Sequence, residues 1–220
     1  RAGTSTVVDS VFAGAVRGAI YWADQNKLIY CVDNDVYVYN INTGVSTTLS
    51  NVFATTTGDV GMCIFLYDDE TSKVVATDGT AVSGMITIDS ANTVVTCADA
   101  DLPAHQPYPV FLDGYVFVAQ TNSAAIWNSD LNDPLSWTAG ALLDAEFEAD
   151  WIRALAKVNN YLVAFGSNTI EYFWDAGNSP GTPLQKNDTP VKLTHFIGGL
   201  SLYENNLFFI GTNENGQPDL

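Results

Sequence analysis

The sequence predicts an all-β fold made of repeated four-stranded antiparallel units, a β-propeller or a large part of one, and three observations predict it. A turn of Asn, Asp or Gly followed by an alternating apolar strand recurs along the chain. The last three such turns, at Gly114, Asn160 and Asn206, fall 46 residues apart. Helical periodicity is nearly absent.

Taken in order, the first turn is Asp33-Asn34, which follows the apolar run 27–32 and precedes Asp35-Val36-Tyr37-Val38-Tyr39. A less regular copy has 62–67 as first strand, a loop over Asp68-Asp69-Glu70-Thr71-Ser72, and 73–77 as second. Next come 108–112, the turn Asp113-Gly114 and Tyr115-Val116-Phe117-Val118, then 152–158, the turn Asn159-Asn160 and Tyr161-Leu162-Val163-Ala164-Phe165. The last copy runs from 200–203 through Glu204-Asn205 into Asn206-Leu207-Phe208-Phe209-Ile210. Run, tight turn and run form a hairpin, because Asn, Asp and Gly tolerate the positive φ of a two-residue turn. Tyr115, Phe117, Tyr161 and Val163 are expected at matching places on second strands.

Third strands are expected at 79–88, 123–128 and 168–173, rich in Thr, Ile, Trp and Tyr. Fourth strands are expected at 144–151 and 184–193. Residues 151–158 can be read as a short helix, but their place in the repeat assigns them to a strand. Four strands per 40 to 46 residues is the signature of propeller blades, each of which needs neighbours to bury its two faces. The expected organisation is one domain, or part of one, over 1–220, with blades at 17–60, 61–105, 106–151 and 152–197 and the start of another at 198–220. A β-sandwich is the rival, and nothing in a sandwich requires equal steps.

The chain has 220 residues, 47% hydrophobic, enough to bury a sizeable core. Eight Lys and Arg stand against 25 Asp and Glu, a formal charge of -17, well beyond the roughly 2 to 8 charges that solubility asks of a small domain. The bases are scattered, so tight nucleic-acid binding is disfavoured while passage of DNA past the surface is not. Cys31, Cys63 and Cys97 are widely spaced with no Cys-x-x-Cys pair, and are read as buried thiols rather than a disulfide scaffold or zinc knuckle. No stretch approaches the roughly 18 to 20 apolar residues of a membrane span, which gives a soluble reading. The chain opens at Arg1 without a methionine and stops near Asn213-Glu214-Asn215-Gly216, as expected of a piece of a longer protein.

No catalytic, cofactor-binding or metal-ligating residue is assigned. His105, in a connector with Pro103, Pro107 and Pro109, is expected to pack or face solvent rather than act as a base. His195 has no Cys or second His at ligand spacing. Nucleophile-elbow, zincin and phosphate-loop motifs do not occur. Acidic pairs are plentiful, at Asp68-Asp69-Glu70, Asp99 with Asp101, Asp130 with Asp133, and Asp33 with Asp35. Facing carboxylates could hydrolyse a glycosidic bond, and Asp-x-Asp turns could supply oxygens to calcium, although none matches the twelve-residue calcium loop. Arg17 and Arg153 are too few for a clustered-arginine clamp. Ser129-Asp130 with Trp137 looks like the Asp-box turn of sialidase-type propellers without its glycine. In that reading Pro134 and Asp133 shape a turn that delivers Trp137 between blades, buried.

The same segment carries a closer likeness. Trp127-Asn128-Ser129-Asp130-Leu131-Asn132-Asp133-Pro134-Leu135-Ser136-Trp137, then Ile152-Arg153-Ala154-Leu155, Phe165-Gly166-Ser167-Asn168-Thr169-Ile170-Glu171 and Trp174-Asp175-Ala176-Gly177, resembles the tail hub or nozzle proteins of short-tailed bacteriophages, also called packaged-DNA stabilisation proteins. The likeness is clearest over 109–202. It implies a structural virion protein in the tail, assembled in the host cytoplasm. Its copies would form a homo-oligomeric ring, a hexamer by the resemblance, against the head-to-tail adaptor and other tail proteins. The ring would retain packaged DNA and let it pass through the lumen at ejection without specific binding. The resemblance transfers no catalytic residue and no cofactor. A carbohydrate-active propeller and a peptide-binding scaffold are the alternatives, and fold alone does not separate them.

One segment comes closest to mechanism. Asp144, Glu146, Glu148 and Asp150 alternate with Ala145, Phe147, Ala149 and Trp151, so a period of two predicts four carboxylates on one face and a packed apolar set on the other. The acidic face is expected to be a solvated outer strand that discourages pairing, or the wall of a ring lumen that keeps DNA from sticking.

Overall fold

The structure is a computed structural model that describes residues 14–145, 150–188, 190–192, 195–203, 206–212 and 218–219. Five antiparallel sheets follow one another along these residues. The first holds β1 (Val16–Trp22), β2 (Lys27–Val32), β3 (Asp35–Asn40) and β4 (Val45–Leu49). The second holds β5 (Gly61–Leu66), β6 (Ser72–Thr77), β7 (Met85–Ile88) and β8 (Val94–Thr96), and the third β9 (Val110–Leu112), β10 (Tyr115–Ala119), β11 (Ala125–Asp130) and β12 (Asp133–Asp144). The fourth is β13 (Ile152–Val158), β14 (Tyr161–Gly166), β15 (Thr169–Asp175) and β16 (Leu184–Lys186), with β17 (Val191–Lys192) also paired to β15. The fifth is β18 (His195–Tyr203), β19 (Asn206–Thr212) and β20 (Pro218–Asp219).

Apart from β17, consecutive strands of a sheet are neighbours, and the first strands β1, β5, β9, β13 and β18 pack against one another in series. First strands therefore line a common axis and fourth strands lie outermost, which is the arrangement of propeller blades. Strand alternation explains the core. On β10, Val116 and Val118 face the second sheet with Trp137, while Phe117 and Ala119 face the fourth. On β14, Leu162 and Ala164 join the seam with the third sheet, while Val163 and Phe165 join Phe196 and Phe209 of the fifth. A central blade is thus buried on both faces, so its second strand reads as an unbroken apolar run, each Val, Leu or Phe contributing about 1.5–3 kcal/mol by leaving water. Tyr115 and Tyr161 open the second strands of their blades, as the repeat predicts.

Two sequence expectations are corrected. The Asp33-Asn34 turn joins β2 to β3, whereas Asp113-Gly114 joins β9 to β10 and Asn159-Asn160 joins β13 to β14, so the first turn is not the counterpart of the later ones. Each blade contains several hairpins of similar chemistry, and the true first strand, β1, is masked in sequence by Arg17 and Gly18. The fourth strand of the third blade is Asp133–Asp144, not 144–151. Pro134 suggests a turn, but it sits on the outermost strand, where a missing N–H is tolerated.

Candidate functional site

Most members of the acidic pairs hold backbone amides or nearby hydroxyls. Asp69 Oδ1 accepts from Thr71 N at 3.0 Å, and Asp133 Oδ1 from Leu135 N at 3.0 Å. Asp35 Oδ1 accepts from Asn51 N at 2.7 Å. Asp99 accepts from Asp101 N and, across the blade seam, from Trp137 N, both at 2.9 Å. Asp130 takes the hydroxyls of Ser136 and Thr138 at 2.7 and 2.8 Å. A carboxylate tied to the amide two residues on is an Asx-turn, which accounts for much of the acidic composition without a reactive pair. Among the described residues no group of three or more His, Cys, Asp or Glu side chains could hold a metal ion.

The predicted four-carboxylate face does not form. β12 ends at Asp144, which is exposed on an outermost strand, while Asp150 precedes β13 and is only 9% exposed. Asp150 accepts from Asn168 N at 2.6 Å and Thr169 Oγ1 at 3.1 Å, and lies over Gly166 so closely that a Cβ there would meet its Oδ2 at 2.4 Å. Trp151, expected on the packed face, is 50% exposed. Glu146 and Glu148 lie outside the described residues. Asp144 closes the outermost strand of one blade and Asp150 leads into the inner strand of the next, so the two do not share a face.

His105 is 2% exposed and joins two blades. Its Nδ1 lies 2.8 Å from Pro103 O, and its Nε2 lies 2.7 Å from Thr77 Oγ1. A carbonyl only accepts, so the proton is assigned to Nδ1 and the Thr77 hydroxyl donates to Nε2. Burial pushes the imidazole below its ordinary pKa, against the opposing pull of the Pro103 carbonyl and the Asp78 charge. With both nitrogens occupied it is a structural pin. His195 begins β18, paired with Thr212, and its side chain lies outside the description.

Arg17 is a buried structural cation that composition alone did not reveal. It is 8% exposed and aims Nε at Gly58 O (2.7 Å), Nη1 at Asp33 O (2.6 Å) and Thr55 O (2.7 Å), and Nη2 at Thr55 Oγ1 and Thr57 O (both 2.8 Å). One guanidinium thus ties the β2–β3 turn to the connector into the second blade. Gly18 beside it has no room for a Cβ, which would fall 1.9 Å from Val60 O. The sequence signal was present as a lone arginine in an apolar strand next to a glycine. At the other end of the same seam Lys27 Nζ donates to Ser90 O (2.6 Å) and Asn92 Oδ1 (2.8 Å), and Trp22 Nε1 to Ser72 Oγ (2.8 Å).

Two concavities lie along the axis. One, of about 420 Å³, is walled by inner strands through Met62, Ile64, Val110, Leu155 and Leu200, with Lys157 and no carboxylate. The other, of about 450 Å³, holds Arg153, Tyr108, Gln106 and Phe196 with one carboxylate, Asp59. Neither brings together the two carboxylates that glycoside hydrolysis requires. Trp137 is 3% exposed in the seam between the second and third blades, as predicted, although a strand rather than a turn delivers it.

Over residues 2–220 the chain matches the sequence model of a phage-stabilisation family described as bacteriophage P22 Gp10, beta-propeller. Among solved structures it is similar to BBS1N in complex with ARL6DN, at 12% identity and a TM-score of 0.55, over 91% of this chain and 61% of that one. It is also similar to the Chaetomium thermophilum Nup170 NTD–Nup53 complex, at 11% identity and a TM-score of 0.49, over 77% and 27%. The first likeness is one of fold alone, and the chain spans about three-fifths of that structure's length. No curated protein sequence matches the chain.

Proposed function

This chain belongs to the phage-stabilisation family described as the bacteriophage P22 Gp10 β-propeller, and from that premise we propose that it forms part of a hub or nozzle ring in a short phage tail that retains packaged DNA and gives it a path out. It is a structural protein of the phage tail, not an enzyme. Copies associate into a ring, a hexamer on the family resemblance, against the head-to-tail adaptor and other tail proteins, after synthesis and assembly in the host cytoplasm. The 220 residues act as one propeller domain or a part of one, with blades close to 17–60, 61–105, 106–151 and 152–197 and a further one from 198.

The observation that carries the DNA-path reading is what becomes of the cations. Arg17 ends on carbonyls and Thr55, Lys27 on Ser90 and Asn92, and Lys186 on Glu171. Lys73, Lys157 and Arg153 lie over the rings of Tyr67, Phe111 and Trp151. A chain of charge -17 whose described bases lie singly, each against its own partners, offers no clustered counter-surface to phosphate. DNA slides past such a wall instead of adhering. Electron microscopy of intact particles tests the proposal, with a ring of this chain expected on the exit path beyond the portal. Full particles that lack the protein, keep their genome and eject normally would overturn it.

A further inference from the structure

We infer that the cavity around Arg153, at the connector end of the inner strands, is a binding site for a carboxylate carried by an acidic peptide segment of a partner protein. The inference is independent of the ring and of the DNA path. The cavity of about 450 Å³ is built where four successive blades converge. Asp59 comes from the connector before β5, Gln106 and Tyr108 from the connector before β9, Arg153 from β13 and Phe196 from β18. Connectors and second-to-third turns emerge at this end, so the cavity opens on the face whose loops vary without disturbing the sheets.

Arg153 differs from Arg17 in having donors to spare. Its Nε donates to Ser167 Oγ at 3.2 Å and its guanidinium lies over the Trp151 ring, 5.8 Å from the centroid. These two contacts set the plane of the group. Among the described residues both Nη nitrogens hold no hydrogen bond, and Arg153 is exposed. A pre-oriented fork with free N–H pairs is the geometry that takes a carboxylate in two parallel bonds.

The rest of the cavity selects among anions. Asp59 lies in the same space, and the Tyr108 hydroxyl donates to its Oδ2 at 3.4 Å. One cation next to one fixed carboxylate tolerates a monoanion better than a phosphate dianion, and the spare lone pairs of Asp59 can accept a peptide N–H. Pro107, Tyr108 and the buried ring of Phe196 form an apolar wall for the carbons beside the carboxylate. Carboxylate, neighbouring N–H and apolar side chain describe an acidic residue flanked by an apolar one.

The test is an NMR titration of the whole 220-residue chain, following the Arg153 Nε–H and Trp151 indole N–H signals. The probes are acetyl-leucyl-glutamyl-leucinamide, its glutaminyl counterpart and inorganic phosphate. The glutamyl peptide is expected to shift both signals saturably, with a Kd on the order of millimolar for so small a ligand, and the glutaminyl peptide to bind at least about tenfold more weakly. Arg153→Gln is expected to lose the response while its remaining amide spectrum stays folded. Equal response to both peptides, undiminished binding in Arg153→Gln, or phosphate binding as tightly as the glutamyl peptide would overturn the assignment. Signals that start at the bound position and move on dilution would place the carboxylate on a second copy of this chain and overturn the assignment to a separate partner.

Discussion

The Nε2 of His105, in the connector entering the third blade, lies 2.7 Å from the hydroxyl of Thr77 at the end of the second strand of the second blade. Thr77 Oγ1 also accepts from Gly79 N at 3.1 Å, and His105 N donates to Gly79 O at 2.9 Å. The two residues thus close a small network across a seam otherwise held by apolar packing. Protonation would turn Nε2 into a donor, reverse its bond to the hydroxyl and place a charge in a buried site, so the network favours the neutral imidazole.

Stability should therefore fall on acidification in a way that depends on His105. Its folded pKa is depressed by burial, so the contribution is fully present above the ordinary value of about 6.5 and is lost as pH falls from there toward the folded value, at no more than about 1.4 kcal/mol per pH unit. The parent is expected to exceed His105→Gln in stability at pH 7, and the gap to narrow at pH 5. Denaturant unfolding at both pH values checks this; a gap that widens at pH 5 refutes it.

Arg17→Lys should be costly although it keeps the charge. One ammonium cannot reach the separate acceptors at Asp33, Thr55, Thr57 and Gly58, and each buried carbonyl left unpaired costs about 1–3 kcal/mol. A loss of about 2–4 kcal/mol is expected from chemical denaturation. A difference within about 0.5 kcal/mol would show that the seam does not need the guanidinium.

Trp137 separates packing from hydrogen bonding. Its ring is buried against Phe65, Val116 and Val118, yet its indole N–H has no partner among the described residues. Trp137→Ala is expected to cost about 3–5 kcal/mol, while Trp137→Phe, which removes an unpaired donor and keeps most of the apolar volume, should cost about 1 kcal/mol. Similar Tm values for both variants would contradict this account.

The cysteines should be inert in the folded protein. Cys31 and Cys97 are buried as expected and Cys63 is only half-buried; desolvation pushes the Cys31 thiol up to about 11 and the Cys63 thiol to about 12, and raises that of Cys97. At pH 8 Cys31 is then thiolate to roughly one part in a thousand, and the thiolate is the reactive form. A thiol-exchange dye at pH 8 is expected to react slowly until denaturant is added. A fast phase in native protein would place one thiol in a different environment.

The succession of blades was legible because strand alternation and turn chemistry are local. Val116, Phe117, Val118 and Ala119 are apolar without a break because a sheet between two others needs both faces dry. Asp113 and Gly114 both take positive φ, the conformation that marks a tight turn in sequence. Local chemistry could not tell which hairpin of a blade it belonged to. The Asp33-Asn34 turn therefore matches in sequence turns of a different place in the blade, and Pro134 looks like a turn residue although it lies on an outermost strand.

The acidic residues separate the two levels most clearly. Alternation alone put Asp144 and Asp150 on one face, and the backbone sends them to the rim of one blade and the base of the next. The sequence by itself determined an all-β chain of repeated sheets with a negative surface and no reactive motif, because those properties follow from neighbours a few residues apart. Only the tertiary structure decided that Arg17 is consumed by carbonyls as far as 41 residues away, that His105 is pinned to a threonine 28 residues back, and that Arg153 keeps free donors at the cavity beside Asp59. A long side chain reaches partners that adjoin it only after the blades have stacked, and no local pattern in the chain encodes which of them it will meet.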